Sequence, residues 1–294
     1  MRFDVSAAEG GFRMGPDERE RLFDRARECS TAHASWPEAD RLWTDVVAAY
    51  REAVRGPGRV DPHDRRQLAR ALWRHGMLLA ARGRAAEGLT PGREAVALFE
   101  ELNDAARAAA GPQRDEALAE LITAVLDLAE TAHAAGQPTL RMELLDRAVQ
   151  VGLHTAGPPP AAGPRTREAM GTAYHNQATA LLERARTGPS PDADARAAAL
   201  AASRACELRQ RLLDPNRPLS LWEMANTYGI YAQCLVAIGD VDRARMVLDL
   251  GNRFVAVLGP AGEQPAARLR AAAEMLARRQ ASSRGGRRRF SPPW

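Results

Sequence analysis

The feature that most constrains this chain is a doubled helical pattern hinged at a glycine-arginine pair. Residues 69–102 read ARALWRHGMLLAARGRAAEGLTPGREAVALFEEL. Leu72, Gly76 and Leu79 mark one face of the segment before Gly83-Arg84, and Gly88, Gly92 and Ala95 mark a small-residue seam on the segment after it. Spacings of three and four place such residues on one side of a helix. Small residues there let two antiparallel helices approach closely. The stretch predicts a helical hairpin.

The pattern returns downstream. Val125, Ala129, Ala132 and Gly136 repeat the first face, with Leu145 and Ala148 on the return helix. Tyr174, Asn176, Ala178 and Leu181 carry it within residues 173–185, and Ala198, Ala202 and Ala205 follow on the partner segment. Tyr228, Ala232, Leu235, Gly239, Ala244 and Leu248 carry it once more. The hinge glycines set the period: 136 − 83 = 53, and 239 − 136 = 103. The second interval is two units of about 51 each, so about five hairpins fill the chain. Helices are expected from Pro16-Asp17, from Pro37 to about Gly56, over 65–82 and 85–109, from about Asp115 to Gly136, and onward from Gln137-Pro138. The run TAGPPPAAGP, residues 155–164, reads as a stiff extended linker. A last helix near 264–280 covers the exposed end of the stack.

This arrangement resembles the tetratricopeptide repeat (TPR), in a long-helix form, because the ordinary repeat spans 34 residues. The resemblance covers residues 17–257 and is strongest in the second and fifth hairpins. It implies an all-α fold: a right-handed α-solenoid of about five antiparallel helix hairpins with a capping helix. The organisation that follows is an N-terminal arm at 1–16, a solenoid with its cap at 17–281, and a basic disordered tail at 282–294. Two departures stand out. Alanine occupies many places where the repeat carries an aromatic or proline, and Arg141 stands where a small residue is expected.

Composition agrees with helices and narrows the function. The 294 residues are 45% apolar but only 5% aromatic, so packing must come from close helix contacts. No run of alternating β-branched residues is long enough for a strand. The net charge of +4 is unevenly placed. From Pro265 to Trp294 eight arginines face one acid, Glu274, giving +7; the rest of the chain carries 4 − 7 = −3. All 41 basic residues are arginine. A GC-rich, actinobacterial type of genome accounts for this through codon usage, and avoidance of lysine-directed modification is the alternative. Cys29, Cys206 and Cys234 are widely spaced in helical contexts and read as buried hydrophobes of a reducing compartment. With no signal-like start and no membrane-length apolar run, a cytoplasmic protein is expected.

In the TPR family the first helix of each pair lines a concave groove. That resemblance places Arg70, Trp73, Met77, Thr123, Leu126, Glu130 and His133 on the groove, followed by Thr172, His175, Thr179 and Glu183, then Asn226, Gln233 and Val236. Trp73 with Met77 offers an adaptable apolar anchor beside a cation, or else Trp73 packs against the next hairpin. Asn226 and Gln233 each offer a donor and an acceptor to an extended backbone. The mixed charges of Arg70, Glu130, His133 and Glu183 disfavour a groove built for a terminal carboxylate.

Little points to chemistry. The six histidines never reach metal spacing with one another or with a cysteine. No glycine loop precedes a helix to cradle phosphate, and no serine sits in a nucleophile elbow. No catalytic residue, metal or cofactor is expected. The leading reading is a non-enzymatic scaffold or adaptor that binds a peptide or partner protein. The alternative is nucleic-acid association through Arg284, Arg287, Arg288 and Arg289, with Phe290 and Trp294 available for stacking. The same arginines suit an acidic protein surface or a solvated terminus.

Overall fold

The computed structural model describes residues 14–55, 61–107, 111–156 and 162–287. Those residues form eleven α-helices and two short 3₁₀ turns, with no strand among them. The helices are α1 (Pro16–Cys29), α2 (Trp36–Arg55), α3 (Pro62–Ala81), α4 (Ala85–Ala106), α5 (Pro112–Ala134) and α6 (Pro138–Ala156). They continue with α7 (Pro164–Thr187), α8 (Pro191–Arg211), α9 (Pro218–Ile238), α10 (Val241–Leu258) and α11 (Glu263–Arg287). The 3₁₀ turns are His33–Ser35 and Gly259–Gly262. Consecutive helices pair as α1/α2, α3/α4, α7/α8 and α9/α10. The chain divides into two compact units, residues 1–144 and 145–294.

Local chemistry explains where the helices begin. Seven of them begin on proline, at Pro16, Pro62, Pro112, Pro138, Pro164, Pro191 and Pro218. The missing N–H of proline is no loss there, and its fixed φ suits the first turn. Asp61 caps α3 by accepting from the His63 amide at 2.9 Å, and Asp240 caps α10 by accepting from the Arg243 amide at 3.2 Å.

Three of the five turns within helix pairs follow one rule; the α1/α2 turn through Ser30 and the α7/α8 turn do not. Gly83 has φ +78°, a left-handed conformation that leaves the Arg84 amide free to donate back to the Leu79 carbonyl at 2.8 Å. This six-to-one closure satisfies the last carbonyls of α3. Gln137 N–H to Ala132 and Asp240 N–H to Leu235, both 2.9 Å, repeat it after Gly136 and Gly239. Between α7 and α8 there is no such glycine. Gly188 is extended, its amide bonds the Arg184 carbonyl at 2.7 Å, and the Arg184 guanidinium bridges the turn to Asp194. That substitution explains why the hinge-glycine interval doubles between 136 and 239.

Packing in the first unit rests on the glycine seam. A Cβ on Gly88 would stand 2.6 Å from the Gly76 carbonyl oxygen, and one on Gly92 would stand 2.8 Å from Leu128 of α5. The backbones of α3 and α4 therefore touch, with α5 seated against the same seam. Around it lie the buried Leu72, Phe99, Leu118, Leu121 and Ile122. Trp43 meets Phe23 edge-on at 5.1 Å, within the α1/α2 hairpin. In the second unit Ala198, Ala202 and Ala205 of α8 are wholly buried, and Gly152 of α6 makes room for Met170 of α7.

Several expected boundaries move. α3 and α5 each start three residues early, on Pro62 and Pro112. α6 continues to Ala156, and α7 begins at Pro164 rather than near residue 173, so the linker shrinks from both ends. α8 starts at Pro191, seven residues before Ala198. α11 continues to Arg287, seven residues past the expected end and into the stretch assigned to the tail. The N-terminal arm, apart from Met14, Gly15 and Pro16, lies outside the described residues.

Candidate functional site

In the first unit, the side lined by opening helices α1, α3 and α5 is tied together by charge. Arg19 of α1 forks onto Asp64 of α3 with bonds of 2.8 and 2.9 Å. Glu20 accepts from Tyr50 at 2.7 Å and from Gln67 at 3.0 Å, and lies 2.8 Å from His63. Between α3 and α5, Arg70 Nε donates to Glu120 at 2.8 Å, and Arg66 lies 3.3 Å from the same carboxylate. Arg70 and Arg66 also lie within 3.7 and 3.8 Å of Glu116. Repeating arginines at four-residue spacing on α3 face glutamates at the same spacing on α5, which makes a ladder along one face of each helix.

One turn above the ladder, Trp73 is half-buried. Its indole N–H donates to Asp127 of α5 at 2.9 Å, its edge meets Phe99 at 6.1 Å, and Arg74 lies 5.0 Å over the ring. Burial raises the Asp127 carboxyl to about 6; the Trp73 hydrogen bond and Arg74 oppose the shift, and Glu130 adds to it. Met77 follows on α3, 36% exposed. Across from it, Glu130 and His133 of α5 are exposed. Arg141, the expected misfit in the repeat, is only 7% exposed and reaches between them, 3.5 Å from Glu130 and 3.4 Å from His133. Its guanidinium stays largely buried, with these two partners at its end.

Of the predicted groove residues, Arg70, Trp73 and Met77 fall on α3 and Glu130 and His133 on α5, and the Trp73–Asp127 bond joins the two helices between them. Arg70 is engaged in the ladder, and Trp73 packs on Phe99 and bonds Asp127 of the next hairpin while staying half-buried. Asp127, which holds the Trp73 N–H, is a residue that the groove assignment passed over. It lies one turn from Thr123 and from Glu130, so the same stripe contains it. Leu126 does not belong there; it is buried in the core, as is Val236.

In the second unit the predicted groove is closed. His175, Asn226 and Gln233 are 6%, 5% and 8% exposed. Asn226 Nδ2 pairs with His175 Nε2 and Thr227 Oγ1 with His175 Nδ1, each at 3.3 Å. Gln233 donates to the Arg268 carbonyl of α11 at 3.3 Å. Arg209 of α8 reaches past Gly171 to the Glu223 carbonyl at 2.8 Å and to Thr227. Burial, with Arg209 and Arg268 nearby, holds His175 well below the usual histidine range, so the ring is neutral. These three residues are therefore internal contacts in this conformation and do not form an open surface. Thr179 is half-buried, its hydroxyl bonded to the His175 carbonyl at 3.0 Å. Thr172 is half-buried and Glu183 exposed. Arg284 and Arg287 fall on the backbone of α11, while Arg288 and Arg289 lie outside the described residues.

Among the described residues, no group of three histidines, cysteines or carboxylates is placed to hold a metal. No helix among them is long and apolar enough to cross a membrane.

No protein-family model and no curated protein sequence matches this chain. Solved structures do match. A Podosopora anserina kinesin light chain with nearly identical TPR-like repeats shares 16% identity, with 82% of this chain and 97% of that one covered, at a TM-score of 0.51. A point variant of the same protein gives 16% identity, coverage of 83% and 97%, and 0.51. BtubC (BKLC) from P. vanneervenii shares 15% identity, with coverage of 82% and 90%, at 0.53. The fold is that of a TPR-like α-solenoid.

Proposed function

We propose that this chain is a non-enzymatic interaction scaffold of the cytoplasm that captures a peptide or partner-protein segment on the α3–α5 face of its first unit. The observation that carries this reading is the surface around Trp73. An accessible thioether, Met77, stands beside a half-buried indole whose N–H is already held by Asp127. A rigid aromatic beside a flexible sulfur side chain suits an incoming apolar residue, and the rim of Arg74, Glu130 and His133 supplies both signs of charge. Ladder ion pairs below it keep α3 and α5 in register, so the surface is formed before any partner arrives.

The test is affinity capture from a native lysate on immobilised full-length protein, with Met77→Glu as the comparison. Met77 is partly exposed, so the change leaves the helical signal and melting temperature near those of the parent. A protein recovered by the parent and reduced at least about tenfold by the variant supports the α3–α5 face. Equal recovery by both removes it. A version ending at Arg287 tests the alternative: nucleic acid recovered by the full chain and lost from this version, with a steep salt dependence, assigns function to the terminal arginines instead.

A further inference from the structure

The closing helix, α11, does not sit where the repeat would put it. Elsewhere the opening helix of a hairpin rests mainly on the closing helix before it. It touches the preceding opening helix only lightly, as α5 does α3 and α9 does α7. α11 reverses this. It leans chiefly on α9 and only secondarily on α10. Gly229 permits the approach, since a Cβ there would stand 2.9 Å from the Arg268 Cβ. The result is that α11 lies over the polar inner stripe of α9, and Gln233 spends its amide on an α11 carbonyl.

That placement satisfies the site poorly. Arg268 Nη1 and Asn226 Oδ1 are buried with no hydrogen-bond partner among the described residues. The Arg268 guanidinium is held by burial below its usual range, with the Glu183 carboxylate acting against the shift. The neutral His175 lies within electrostatic reach of Arg268 and, separately, of Arg209. Against these unfavourable contacts, α11 offers a narrow apolar stripe: Pro265, Leu269, Ala272 and Leu276, at intervals of four, three and four. Leu269 fits over Gly251 of α10. From Ala277 to Ser282 no side chain is buried. A helix held by one thin stripe, with desolvated polar groups beneath it, belongs to the segments that open locally before the rest of a structure does.

We propose that α11 is a displaceable latch: it fills in cis a surface on α9 shaped for an arginine-flanked helix, and that surface opens while the rest of the 145–294 unit stays folded. The occupant is a helix with the α11 spacing, and α11 itself is its first example. Opening returns Arg268 to water, frees the Gln233 amide and uncovers the unpaired Asn226 Oδ1 for a replacement. This inference stands on the second unit alone and does not depend on the Trp73 surface.

Two measurements test it on the full chain. Hydrogen exchange followed by mass spectrometry compares amides 266–276 of α11 with amides 224–236 of α9. The latch requires the α11 amides to exchange at least about 100-fold faster, as a sub-global opening. Equal protection overturns it. The second measurement uses a synthetic peptide of residues 263–287, labelled at its N-terminus, by fluorescence anisotropy. Ala272→Glu puts a charge on the buried stripe of α11 and leaves α9 unaltered. That variant is expected to bind the peptide at least about tenfold more tightly than the parent, whose site is filled. Adding Gly229→Val abolishes the gain, because its side chain occupies the place of the Arg268 Cβ. A folded Ala272→Glu chain that binds no better than the parent overturns the proposal, as does binding that survives Gly229→Val. If Ala272→Glu does not fold, the exchange comparison on the parent decides alone.

Discussion

Replacing Asp127 by asparagine should stabilise the first unit above neutral pH. Asp127 lies under the Trp73 ring edge, and its carboxyl is raised from an ordinary 3.8 to about 6, chiefly by burial. The folded state thus favours the protonated acid. The stability this group contributes is complete below pH 3.8, declines as pH rises toward 6, and is constant above that. A gap of about two units at about 1.36 kcal/mol each is worth roughly 3 kcal/mol. Asparagine keeps the shape and keeps an acceptor for the Trp73 N–H at 2.9 Å, but it has no charge to desolvate. The neutral bond is weaker than the charged one by about 1 kcal/mol, so a net gain of roughly 1–2 kcal/mol is expected at pH 7.5. At pH 4 the two proteins should differ little. Urea unfolding of both at pH 4, 5, 6 and 7.5, read as the difference between them, isolates this residue from every other titrating group. A variant less stable than the parent at pH 7.5, or a difference independent of pH, would refute the argument that burial dominates at Asp127.

Three further outcomes follow from the packing. Gly88→Ala forces the Gly76 carbonyl away from a Cβ at 2.6 Å and should destabilise by about 1–3 kcal/mol, lowering the first thermal transition seen by circular dichroism. Gly83→Ala places a side chain at φ +78° and should cost about 1–2 kcal/mol, visible in the same melt, whereas Gly83→Asn should cost clearly less. His175 has the opposite pH sign to Asp127. Its folded value lies below 6.5, so the stability it contributes is present above pH 6.5 and is lost as pH falls below it. The margin of the parent over His175→Gln should therefore shrink between pH 7.5 and 5, measured by urea unfolding.

How far the chain was readable from its residues varies by element. The hairpin around Gly83 was legible because everything that makes it is local: apolar spacing, a glycine that takes positive φ, and small residues at one-turn intervals. The same holds at Gly136 and Gly239. The fourth hairpin was harder to place, because an Arg184–Asp194 bridge and an extended Gly188 do the work of a hinge glycine. A helix start was misjudged where proline was assigned to a linker and in fact opens the helix, as at Pro164. Register with the repeat placed Trp73 and Met77 on the helix before Gly83 and Glu130 and His133 on the one before Gly136, which are α3 and α5. It could not distinguish Asp127 from its neighbours, because burial and the reach of an indole N–H belong to two helices 54 positions apart in sequence.

The residues alone determined that this chain forms helices, that they pair, and where most of them turn, since backbone dihedrals and side-chain size act within a few positions. Which stripe faces outward was decided only in three dimensions. His175, Asn226 and Gln233 have the polarity of a surface, and the same periodicity as Trp73 and Met77, yet they are buried. Gln233 is covered by α11, which settles on α9 at the bare backbone of Gly229, while His175 and Asn226 face each other across α7 and α9. Exposure depends on what else in the chain arrives at a face, and no periodicity within one helix encodes that.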